Sequence, residues 1–216
     1  MSADRPLLYD YWRSSASYRV RIALALKGIA YESQAVDLMK GEQKAKAHLE
    51  RNPQGLVPAL AIDGLVMTQS LAMIEYLEET RPEPALLPSD PAGRARVRAI
   101  AQVIAMEVHP VCNPSVVARV LELAGGDEAM RVAWMQDVIG RGLDAVEVLL
   151  QHPDTGRFSH GERPGLVDCF LVPQLYNAQR WGLEAARWPT LSRIDRACAA
   201  LAAFKDSHPE QVKPKS

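Results

Sequence analysis

A chain of 216 residues, 48% of them apolar, is long enough to bury one large core or two smaller ones. Its 25 basic residues stand against 26 acidic ones, so no strong basic field exists to hold nucleic acid. No apolar run approaches the roughly 20 residues of a membrane span, and the opening residues lack a secretory apolar core. Cys112, Cys169 and Cys198 are widely spaced and odd in number, which points to free thiols in a reducing cytoplasm; the five histidines are scattered, which argues against a metal site.

Taken in chain order, residues 7–11 read as a strand and 19–27 as a helix, stopped by Gly28. Residues 31–36 form a second strand, and 42–51 a polar, weakly helical stretch ended by Asn52-Pro53. Residues 59–62 and 66–68 are short strands joined by Asp63-Gly64, a strong hairpin signal. Residues 70–80 close as a helix with Leu71, Ile74 and Leu77 inward and Glu75, Glu78 and Glu79 outward. The order βαβ-α-ββα combines a parallel pair with an antiparallel hairpin, the thioredoxin-like arrangement.

Four prolines in residues 82–91 mark a linker, so residues 1–81 are expected to form an α/β domain and 92–216 an all-α one. In the second part Val97, Ile100, Ala101, Ile104 and Val108 fall on one helical face, which Pro110 and Pro114 should bend or break. Gly125-Gly126-Asp127 separates it from a helix over 128–151. Further helices are expected over 166–181 and 191–207, the latter broken or continuous, with a frayed tail from Pro209.

The chemistry gathers at residues 14–21, Ser-Ser-Ala-Ser-Tyr-Arg-Val-Arg, between the first strand and the first helix. Such a turn leaves backbone N–H groups pointing outward, and these together with the helix dipole favour an anion. Redox thioredoxin-like proteins carry two cysteines here; this chain has none, so the turn suits a thiolate supplied by a ligand. An ordinary serine cap is the plainer reading of the same residues. Val57-Pro58 is compatible with a cis bond that offers the Val57 N–H and C=O to an extended peptide. Gln69-Ser70 opens the next helix, with Ser70 as cap or as a carboxylate contact. A thiolate pocket, a backbone edge and a carboxylate pocket together fit glutathione. Gly165 followed by Asp168 at the third helical position is a capping arrangement and belongs to folding.

These residues resemble glutathione transferases of the zeta class over nearly the whole chain. The resemblance rests on Tyr9 to Glu32 with its serine turn, Asn52-Pro53, Val57-Pro58, Gln69-Ser70 through Glu79, and Leu171-Val172-Pro173-Gln174. It implies the glutathione transferase architecture and a homodimer. It implies that Ser14 holds the glutathione sulfur, with Ser15 and Ser17 lining the same helix end. Gln43 is then placed at the glycine end, Val57 at the peptide backbone, and Gln69 and Ser70 at the γ-glutamyl end. His109, Asn113 and Ser115 match cleft positions, and Arg13 and Arg180 match arginines that hold substrate carboxylates. Ala16 departs from the family's usual Cys, which makes that thiol auxiliary, since glutathione brings the reacting sulfur. The implied activity is glutathione-dependent cis–trans isomerisation of a small dicarboxylic acid, maleylacetoacetate to fumarylacetoacetate, in tyrosine and phenylalanine breakdown. Maleylpyruvate isomerisation, general transferase or α-haloacid dehalogenase activity, and a glutathione-binding module without turnover are the alternatives.

Overall fold

Strand β1 (Leu7–Asp10) runs into helix α1 (Ser15–Leu26) and returns as β2 (Glu32–Ala35), which pairs parallel with β1 from Leu7 opposite Glu32 to Asp10 opposite Ala35. A parallel neighbour requires this helical crossover. The computed structural model describes residues 5–214. The opening residues 1–4 and the end of the tail, 215–216, lie outside the described residues, and so does what the sequence reading says of them.

Helix α2 (Lys46–Leu49) follows a 3₁₀ turn at Glu42–Lys44, as the weak helical pattern of 42–51 anticipates. Strands β3 (Ala59–Ile62) and β4 (Leu65–Thr68) pair antiparallel with Ile62 opposite Leu65. Asp63 (φ 53°) and Gly64 (φ 77°) both lie in the left-handed region, the backbone of a type I′ hairpin turn. The sheet order is β2-β1-β3-β4. Helix α3 (Ser70–Thr80) lies against α1. Between sheet and helices the core takes Leu8 and Leu60 from the strands, Val20, Ile22 and Leu24 from α1, and Met73, Ile74 and Leu77 from α3.

Helix α1 begins four residues earlier than the apolar pattern suggests. Ser14 accepts the Ser17 N–H and caps the helix, so the serine turn is itself the first helical turn. Glu78 does not face outward. It is buried and pairs with the equally buried Lys27 at 2.6 Å, which also donates to the Arg81 carbonyl. The pair ties the C-terminal ends of α1 and α3 together.

Among the described residues, those up to Leu86 form one compact unit, and residues 200–214 belong to it. This moves the C-terminal segment out of the all-α part in which the sequence reading places it. Helix periodicity cannot reveal the reason. In α9 (Ala202–Ser207) Phe204 is buried, and the Ser207 carbonyl accepts from Arg21 Nε at 3.1 Å. The expected frayed tail is instead a helical turn, α10 (Pro209–Val212), with Pro209 buried and His208 Nδ1 accepting from the Glu210 N–H.

The second unit, Leu87–Ala199, is helical. It contains α4 (Pro91–Gln102), α5 (Pro114–Ala124), α6 (Glu128–Leu149), α7 (Leu166–Arg180) and α8 (Pro189–Ala199). A π-helical run, Val103–Val108, continues α4. Val97, Ile100, Ala101, Ile104 and Val108 are all buried, as their spacing predicts. Pro114 starts α5 rather than interrupting a helix, because its missing N–H falls at a position that has no intrahelical partner. Gly125 closes α5 in the left-handed conformation.

Candidate functional site

In the first unit the two longest helices, α1 and α3, present N-termini with no acidic residue in the first turn. At α1 the cap is Ser14, extended at φ −68°, ψ 124°, with Oγ 3.2 Å from the Ser17 nitrogen. Ser14 and Ser15 are half-buried. Ser17 is not on that exposed face. It is fully buried, its hydroxyl has no hydrogen-bond partner among the described residues, and its part in the turn is the N–H it donates to Ser14. The helical period turns it inward, which a run of serines read as a loop conceals.

At α3 the cap is Gln69 rather than Ser70, which is the first helical residue. Gln69 holds φ 69°, a left-handed conformation that costs a side chain of its kind of order 1 kcal/mol or more and persists where the surroundings impose it. Its side chain leaves the helix end uncapped and donates instead to Gln54 Oε1 at 2.8 Å. Ser70 is buried and accepts from Arg19 Nη1 at 3.3 Å.

The loop before β3 carries a backbone edge. His48 Nε2 and Asn52 Nδ2 both reach the Leu56 carbonyl, at 2.9 and 2.8 Å, which holds the chain immediately before Val57. The Val57-Pro58 bond is cis. Among the described residues nothing hydrogen-bonds the Val57 N–H or C=O. Gln43 borders the same loop: a Cβ added at Gly55 would stand 3.2 Å from the Gln43 carbonyl oxygen. The Gln43 side-chain Oε1 is buried without a partner among the described residues. An unpartnered amide oxygen, an unpaired backbone edge and an uncapped helix end fit a peptide ligand carrying amides and a carboxylate.

The remaining predicted residues are accounted for differently. Arg13 is half-buried with its guanidinium 5.3 Å over the Trp12 ring. In the second unit, His109 follows the π-helical run, a feature frequent at functional sites. Asn113 caps α5, its Oδ1 accepting from the Ser115 N–H at 3.0 Å and Oγ at 2.8 Å, so those two residues are engaged with each other. Arg180 is exposed in the last turn of α7, where a cation suits the helix dipole, 6.0 Å over the Tyr176 ring.

Two buried arginines, Arg19 and Arg21, escape a sequence reading that treats α1 as an apolar helix. Arg21 is 1% exposed; Nη1 bonds Asp10 at 2.8 Å and Nη2 the Trp12 carbonyl at 3.0 Å, which anchors the segment leading into the serine turn. Burial pushes the Asp10 carboxyl up, and Arg21 opposes it. Burial also pushes Arg19 down to about 9. Their signal is positional: a charge at the buried phase of a helix requires a partner. Burial pushes the thiol of Cys112 up to about 11 and that of Cys198 further, so neither competes as a nucleophile. A cavity of about 610 Å³ lies beside the turn, lined by Tyr11, Trp12, Tyr31 and Glu42 among others, and holds none of the candidate residues.

The family model of the glutathione S-transferase N-terminal domain matches residues 8–85. The maleylacetoacetate isomerase of Rhizobium meliloti is 58% identical over 212 residues, covering 98% of this chain and 100% of that protein. A solved maleylpyruvate isomerase, described as a bacterial zeta-class glutathione S-transferase, superposes with a TM-score of 0.94 at 44% identity, covering 97% of this chain and 100% of that one. The maleylacetoacetate isomerase of Anaeromyxobacter dehalogenans, solved with glutathione bound in its active site, gives 0.87 at 48% identity, with 98% of both chains covered.

Proposed function

The chain belongs to the zeta-class glutathione transferase family that includes the maleylacetoacetate isomerases, and from that premise we propose that it converts maleylacetoacetate to fumarylacetoacetate with glutathione as cofactor. The observation that carries the reading is the serine-capped, acid-free N-terminus of α1 in a chain whose Cys112 and Cys198 thiols are held protonated. Bound glutathione supplies a thiolate that adds to the cis double bond, frees it to rotate and departs to leave the trans isomer.

The chain's part is binding, ionisation and orientation. Ser14 and Ser15 donate to the sulfur beside the α1 dipole, each pKa unit removed from the thiol representing about 1.4 kcal/mol of thiolate stabilisation. Ser17 acts through its N–H, which fixes the Ser14 oxygen. Gln43 meets the glycine end, the Val57 backbone pairs with the cysteinyl unit, and Gln69 and Ser70 take the γ-glutamyl carboxylate at the α3 N-terminus. Arg13 and Arg180 hold substrate carboxylates, a task suited to the planar guanidinium. His109 lines the cleft, while Asn113 and Ser115 shape it through the α5 cap. In this reading residues 1–81 bind glutathione, 82–91 link, and the helices between 92 and Ala199 shape the substrate side. The working form in this reading is a homodimer in the cytoplasm, where the three buried free cysteines suit a reducing compartment.

The test is purified protein with maleylacetoacetate, with and without glutathione. Glutathione-dependent loss of substrate is expected, and its absence removes the proposal. The high similarity to a maleylpyruvate isomerase favours a second substrate, so kcat/KM for maleylpyruvate under the same conditions ranks the two.

A further inference from the structure

Arg19 stands one turn into α1 and is 2% exposed, yet it reaches out of its own helix to α3. There Nη1 donates to Ser70 Oγ at 3.3 Å. A guanidinium has donors only, so the Ser70 oxygen is the acceptor in this bond and its own proton is directed elsewhere. Among the described residues no group accepts that proton. The hydroxyl sits on the first helical residue of α3, behind a cap, Gln69, that contributes no side-chain bond, and with no acid in the first turn. A donor held in this way is an incomplete chain: cation, hydroxyl, and a position for an anion.

We propose that Arg19 is a positioning residue which orients and polarises the Ser70 hydroxyl as a donor to the γ-glutamyl carboxylate of glutathione. The proposal rests on the reading that Ser70 meets that end of the ligand. Hydrogen bonds in series strengthen one another where the dielectric is low, and a charged donor at the buried end gives the chain its direction. Burial makes the Arg19 charge costly, as its depressed pKa records, and an anion one hydroxyl away offsets that cost. Arg19 touches neither the sulfur nor the substrate in this arrangement; its effect passes through Ser70.

The experiment is a double-mutant cycle on glutathione affinity, read by calorimetry, with the ionisation of the bound thiol followed by thiolate absorbance. Arg19→Met and Ser70→Ala are each expected to weaken glutathione about 10-fold, and the double variant no more than Ser70→Ala alone. The pKa of the bound thiol is expected to stay at its wild-type value in Arg19→Met, because Arg19 acts at the opposite end of the ligand. Additive losses, or a thiol pKa displaced along with affinity, overturn the proposal, since both describe a general distortion of α1. If Arg19→Met does not fold, Arg19→Lys carries the cycle, with a smaller loss that also vanishes on the Ser70→Ala background; a loss that persists there overturns it. Wild-type protein that binds no glutathione at all removes the functional reading itself, a result distinct from any of these.

Discussion

Helices α7 and α3 meet the same electrostatic demand in opposite ways. The N-terminus of α7 is closed from within. Asp168 accepts from the Gly165 N–H at 2.7 Å and from the N–H and Oγ of Ser159 at 3.1 and 2.6 Å, all within a buried cluster. The N-terminus of α3 has neither a side-chain cap nor an acid, and its first residue is steadied by a cation instead. One helix end carries its own anion and serves folding; the other is arranged for an anion from outside. A binding site is therefore marked by the omission of a capping group that the fold supplies elsewhere.

Asp168→Ala breaks the closed end and should have the largest effect on stability. Three donors lose their acceptor in the interior, and a loss of about 3 kcal/mol or more is expected in denaturant unfolding. A loss under about 1 kcal/mol would mean that α7 does not depend on its internal anion. Ser14→Ala should separate function from folding at α1: turnover falls about 10–100-fold with the loss of a bond to the charged sulfur, while stability falls by only about 1 kcal/mol with the cap. Unchanged turnover would clear Ser14 of its role at the thiolate.

Gln69→Gly sharpens the contrast at the open end. Glycine accepts the left-handed backbone without strain, so stability should rise by up to about 1 kcal/mol in thermal unfolding while glutathione binds less tightly. Weaker binding without added stability would leave the positive φ unconnected with function. The smallest effect belongs to the hairpin, away from both helix ends. The hydroxyl of Tyr76, then Arg81, holds the Asp63 carboxyl below its ordinary value of 3.8. A depressed carboxylate contributes stability above that value and loses it as pH falls through the folded one, so Asp63→Asn should flatten the acid limb of the stability profile near pH 4 and below. The change should stay below about 1 kcal/mol because the pair is exposed; acid profiles that coincide would show that it contributes nothing.

Much of this was legible along the chain because the signals are short in range. Asp63-Gly64 can hardly form anything but a tight hairpin turn, Gly165 and Asp168 stand at capping distance, and the buried stripe from Val97 to Val108 follows from the helical period alone. The serine turn announced a helix end with room for an anion for the same reason. The reading failed where a residue's fate depended on a distant partner or on where a helix begins. Glu78 is inside because Lys27 meets it, Ser17 is inside because the helix starts early, and Gln69 took the cap that a serine seemed made for because its backbone had already turned left-handed.

By itself, then, the sequence determined the element order, the hairpin, the α7 cap and the residue types offered to a thiol peptide, since each depends on neighbours a few positions apart. Only the tertiary structure decided that residues 200–214 return to the first unit, that Arg21 anchors the segment ahead of Ser14, and that Arg19 bonds Ser70 across 51 positions of chain. The physical reason is burial: a charge removed from water must find its partners wherever the fold brings them, and no local pattern records where that is.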